Sequence, residues 1–85
     1  MRYIPKQFII EDKINYKNTF APLMEELICN DISFICYVQG LKMIIIEPNS
    51  YNLKTTEDIL IKYKHLNIIV KIKKGYKWIK EGDLI

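Results

Sequence analysis

The sequence predicts one small α+β domain, a mostly antiparallel sheet with two helices on one face, in the order β-α-β-β-α-β-β. Three observations predict it. The chain has 85 residues, room for one core and no second. Two stretches, 20–30 and 55–65, carry apolar residues at helical spacing. The remaining apolar segments are short, rich in β-branched and aromatic residues, and turn at Gly40 and Gly75.

The first strand is KQFIIE, residues 6–11, with Pro5 restricting an earlier start to an edge. DKINYKN follows as a connection. Thr19 is placed to cap the first helix, because Phe20, Leu23, Met24, Leu27 and Ile28 then fall on one helical face. Pro22 would sit in the first turn, where no intrahelical N–H bond is lost, and Asn30 is a left-handed stop. In DISFICYVQGLKMIIIEPNS, two strand-like runs flank Gln39-Gly40 and predict a hairpin that ends at Glu47-Pro48-Asn49-Ser50. Ile32, Phe34 and Cys36 share one face of it, Ile35 and Tyr37 the other. A sheet with one wet face would alternate more cleanly, so the second face needs a cover, from the fold or from a partner.

Thr55-Thr56-Glu57-Asp58 resembles a capping box, and Ile59, Leu60, Tyr63 and Leu66 give a second amphipathic helix. NIIVKIKKGYKWIK then forms a second hairpin at Gly75. The first six elements match the ferredoxin-like split βαββαβ plan with an added edge strand. Two α-β-β units describe the order equally well, since Gly40 and Gly75 are 35 residues apart. That plan hosts many unrelated functions and licenses no activity.

The second hairpin has two candidate registers. A Lys74-Gly75 loop leaves Tyr76 and Trp78 outside among lysines, a platform on which bases stack at ~1–3 kcal/mol each. It requires positive φ at Lys74, at about 1 kcal/mol. A Lys73-Lys74-Gly75 loop asks that only of Gly75 and turns both rings to the core, where a large side chain contributes roughly 1.5–3 kcal/mol. The longer loop is favoured, with Ile69, Lys71, Lys73, Lys77 and Ile79 outside.

In either register the lysines stay outside. Residues 59–80 hold seven of them (Lys62, Lys64, Lys71, Lys73, Lys74, Lys77 and Lys80) and no acid, although the whole chain is only +3. The basic C-terminal hairpin, with Lys62, Lys64, Lys71, Lys73, Lys74 and Lys77, is therefore the candidate partner-binding or nucleic-acid-binding surface. Lysine supplies point charge where guanine reading prefers the arginine fork, and Arg2 is the sole arginine. The expected partner is an acidic protein surface or a nucleic-acid-handling protein. Non-specific nucleic-acid binding is the alternative, and self-association as a structural homodimer follows from the two apolar hairpin faces.

Catalytic constellations are missing from the sequence. His65, the single histidine, sits where it complements a helix C-terminus. The glycines at 40, 75 and 82 are isolated, so no phosphate loop exists. Adjacent acids such as Glu25-Glu26 diverge on a helix and do not share a proton. Cys29, Cys36 and His65 do not make a zinc-site spacing. A non-enzymatic protein with no cofactor and no metal is expected.

Hydrophobic residues form 49% and charged residues 27% of the chain, which suits a globular rather than a disordered protein. Isoleucine supplies a fifth of it and lysine outnumbers arginine twelve to one, a bias of AT-rich genomes. Size and composition together suit a phage- or virus-type regulator or inhibitor that binds a host macromolecule. No apolar run approaches the ~20 residues of a membrane span, and MRYIPKQFIIEDK lacks the apolar stretch of a signal peptide. Cys29 and Cys36 are expected as buried free thiols of a cytoplasmic protein, in the host cytoplasm if phage- or virus-encoded.

Overall fold

The computed structural model describes residues 3–81. Five strands form one sheet: β1 (Lys6–Glu11), β2 (Phe34–Tyr37), β3 (Met43–Ile46), β4 (Ile68–Lys74) and β5 (Lys77–Lys80), in the order β2-β3-β1-β4-β5 with every pair antiparallel. Helices α1 (Tyr16–Cys29) and α2 (Leu53–Leu60) connect β1 to β2 and β3 to β4, and a 3-10 turn (Ile61–Tyr63) extends α2. This is the ferredoxin-like split βαββαβ plan with β5 added beyond β4. A translational αββ repeat would map β2 onto β4, yet β2 lies at the edge and β4 inside.

The core sits between the helices and one side of the sheet. Phe8 and Ile10 of β1, Ile44 and Ile46 of β3, Phe20, Leu23 and Leu27 of α1, and Ile59 and Leu60 of α2 belong to one buried cluster. Strand alternation fixes the partners. Phe8 pairs with Ile46 and Val70, and Ile10 with Ile44 and Ile68, so one parity of each strand points to the helices. Burying a large aliphatic side chain contributes roughly 1.5–3 kcal/mol, so this cluster supplies most of the drive to fold.

Both helices begin before the expected points. Thr19 does not cap α1; it is buried within the helix and donates from Oγ1 to Asp12 Oδ2 at 2.6 Å. The cap position is Asn15, and Asp12 fixes the turn that leads into it, because its Oδ1 also accepts the Asn15 backbone N–H at 2.9 Å. These two bonds hold the Asp12 carboxyl below the usual carboxylate range, the Thr19 bond contributing most. With α1 starting at Tyr16, Pro22 lies in its interior and leaves the Asn18 carbonyl without an i+4 donor. Tyr16 joins the buried stripe, whereas Ile28 faces water at 64% exposure. Positive φ falls on Asp31 rather than Asn30.

α2 likewise starts ahead of Thr55. Asn49 Oδ1 accepts the backbone N–H groups of Tyr51 and Asn52, and Asn52 Oδ1 in turn accepts the Asn49 N–H at 2.8 Å. This reciprocal asparagine turn supplies the start that the Thr55 box was expected to give. Thr56 is fully buried and donates to the Asn52 carbonyl. Both cysteines are free as expected, but neither is buried: Cys36 is half-buried, and Cys29 is exposed because the last turn of α1 carries it away from the sheet.

Candidate functional site

The second hairpin adopts neither anticipated register. Lys74 pairs with Lys77, Lys73 with Trp78 and Ile72 with Ile79, which leaves Gly75-Tyr76 as a two-residue loop. Only Gly75 has positive φ, at +66°, the sign pattern of a II′ turn, so no lysine enters the left-handed region. A short loop therefore forms here without strain in a lysine backbone. Ile79, expected on the outer face, instead meets Ile72 on the helix side, because the shorter loop shifts β5 against β4. The expectation that both rings point to the core fails: Tyr76 is 100% exposed at the tip, and Trp78 stands on the opposite side from the helices.

This register splits the predicted lysine set. Lys71 and Lys73 share the helix-free face with Lys80, where Lys73 Nζ lies 5.1 Å from the Trp78 ring centroid. Lys74 and Lys77 face each other on the helix side of the ribbon, so Lys77 is not grouped with Lys71 and Lys73 as anticipated. Lys62 lies in the 3-10 turn and pairs with Glu26 of α1; hydrogen bonding to that carboxylate holds its ammonium above the ordinary lysine range. Lys64 follows that turn, exposed and separate from the ribbon. Among the described residues, ion pairs involve Lys6, Lys54 and Lys62, and neither Lys71, Lys73 nor Lys80 is within reach of a carboxylate.

The basic corner borders a surface that the lysine count did not reveal. On the face opposite the helices, Ile35 of β2, Ile45 of β3, Ile9 of β1 and Ile69 of β4 are paired in succession and form one transverse row. Ile35 is 54% exposed, the other three are half-buried by their neighbours alone, and no described element packs over them. Beside the row lie Tyr37, 42% exposed, and Met43; Gln7 on the other side donates to Glu47 at 2.8 Å. The cover that the hairpin's second apolar face called for is not supplied by the described residues. The sequence held a signal for this: Ile9-Ile10, Ile44-Ile45-Ile46 and Ile68-Ile69 are consecutive, and neighbours in a strand must occupy opposite faces.

A cleft of about 590 Å³ between residues 3–5 and 72–75 has Lys73, Lys74 and Tyr3 as its ionisable groups, and the Tyr3 hydroxyl is committed to the Pro48 carbonyl at 2.6 Å. Burial pushes the Cys36 thiol up, which disfavours a thiolate nucleophile. Among the described residues no cluster of three His, Cys, Asp or Glu side chains could hold a metal, and no helix is long and apolar enough to cross a membrane. Comparison with protein-family models, curated proteins and solved structures finds no match to this chain.

Proposed function

We propose that this is a small non-enzymatic binding protein, of the regulator or inhibitor kind, whose working surface is the open sheet face together with its basic corner. The observation that carries this reading is the transverse row Ile35, Ile45, Ile9 and Ile69, left in water beside Trp78, Lys71, Lys73 and Lys80. An apolar centre edged by aromatic and charged groups has the anatomy of a protein–protein interface. The proposed occupant is a protein surface with an apolar ridge and carboxylates next to it. The ridge would sit on the isoleucines, and the carboxylates would meet three lysines that reach no carboxylate among the described residues. Lysine charges at such a rim mainly speed and orient encounter, while the apolar centre and Trp78 supply the affinity.

Nucleic acid fits this face less well. Base recognition on a sheet relies on rings spread over the central strands, and here those strands present Ile9 and Ile45. The test is photocrosslinking in an extract of the source cell, with a benzophenone amino acid at Ile69 on the open face or at Ile61, 59% exposed outside the sheet. The reading expects one protein captured from position 69, absent from position 61, and lost on Lys71→Glu with Lys73→Glu. A nuclease-sensitive adduct, equal capture from both positions, or no adduct at 69 would overturn it.

A further inference from the structure

We propose that the chain pairs with a second copy of itself through the free edge of β2, making one continuous ten-stranded sheet. The two edges of the sheet differ in kind. β5 carries Lys77 and Lys80, the charged pattern that keeps an edge from pairing with another strand. β2 is Phe34-Ile35-Cys36-Tyr37, and no charged residue occurs between Asp31 and Lys42. Exposed large apolar residues concentrate at that end of the sheet: Ile35, Tyr37, Val38 and Leu41 are between 42% and 54% exposed.

The hydrogen-bond phase of β2 specifies how the copies would meet. The Glu47 N–H donates to the Ser33 carbonyl, so Ser33 forms a hydrogen-bonded pair with Glu47 in the antiparallel ladder to β3. Such pairs alternate, which makes Ile35–Ile45 and Tyr37–Met43 the next ones. Phe34 and Cys36 therefore direct both backbone N–H and C=O groups outward. A two-fold axis at Ile35 sets Phe34 of each copy opposite Cys36 of the other, and every outward group of β2 gains a partner.

The same register aligns the open faces. Ile35 meets the other copy's Ile35, and the row Ile69, Ile9, Ile45, Ile35 runs on without interruption into its symmetry mate. No like charges meet in the seam, and the two basic corners sit at the far ends of the joined sheet. Pairing β5 with β5 would instead set lysines against lysines. The inference does not depend on what occupies the open face.

Sedimentation equilibrium on the full chain tests it. The expected result is a particle of twice the 10.2 kDa chain mass across the micromolar range. Ile35→Lys, a substitution at an exposed site, should yield a monomer with an unchanged circular dichroism spectrum. In a Cys29→Ser, Cys36→Ser background, Ile35→Cys should oxidise to a covalent dimer, because facing residues of a non-hydrogen-bonded pair lie about 4.5 Å apart, within disulfide range. Tyr76→Cys, at the other edge, should not. A monomer at sub-millimolar concentration, a dimer that survives Ile35→Lys, or equal cross-linking at 35 and 76 would each overturn the proposal. So would an edge that accepts only a foreign extended peptide.

Discussion

Removing the Asp12 carboxylate should loosen the start of α1 and abolish one acid-sensitive component of stability. The Thr19 hydroxyl is 2.6 Å from Asp12 Oδ2, and the Asn15 amide is 2.9 Å from Oδ1. A hydrogen bond to a charged group contributes roughly 1.5–3 kcal/mol, and Asp12 is only half-buried, so solvent screening reduces this to about 1 kcal/mol. Loss of the bond from the Asn15 N–H, in the turn that starts the helix, adds about 1 kcal/mol. Asp12→Ala should therefore destabilise by about 2 kcal/mol, a shift in urea midpoint of about 1–2 M. Because the folded carboxyl titrates below its ordinary range, the unfolded chain binds more protons in the intervening window. The contribution is complete above the ordinary value of about 3.9 and is lost as pH falls through the lower folded value. Urea melts of the parent, Asp12→Ala, Thr19→Val and the double variant form a cycle. The expected coupling is about 1 kcal/mol at neutral pH and near zero in strong acid. A coupling under ~0.3 kcal/mol at neutral pH, or one that survives protonation, would refute the bond from Thr19 to Asp12.

Trp78 is the only tryptophan, so its fluorescence reports the basic corner alone. Iodide, drawn in by Lys71, Lys73 and Lys80, should quench it several-fold more effectively than caesium, and Lys71→Glu with Lys73→Glu should reverse the order; equal quenching would contradict the placement of the ring. Gly75→Ala forces an L-residue to φ +66° and should cost about 1 kcal/mol in a denaturation melt. Tyr76→Ala at the same tip should stay within ~0.5 kcal/mol, and a reversed ranking would reject the Gly75-Tyr76 turn. A disulfide reagent at neutral pH should modify exposed Cys29 well before Cys36, whose thiol is held protonated by burial; simultaneous modification would show that β2 opens readily.

Element types and order were legible because the hydrophobic periods are long and clean, and the strand Lys6–Glu11 matches its expected bounds. Helix starts were not, because the decisive groups are side chains of the preceding turns. Asp12 and Asn49 lie three or more residues before the helices that they begin, and the nearer threonines mimic a capping signal. The hairpin register failed on turn chemistry. A glycine at the first loop position permits a short turn without strain in lysine, so the longer loop that would bury Tyr76 and Trp78 has no conformational advantage. The lysine cluster was visible as composition, but its division between two faces depends on strand phase, which a slip of one residue inverts. The isoleucine row was half legible, since doubled isoleucines announce a sheet that is apolar on both sides without saying which side the helices take.

That doubling has a practical consequence. A side of the sheet made of bare aliphatic side chains is sticky whenever the molecule is alone, however well the other side is packed. The working concentration of the purified chain is then limited by solubility rather than by its folding free energy, and charged substitutions at Ile9 or Ile45 should raise that ceiling at the expense of the part of each side chain that its neighbours cover.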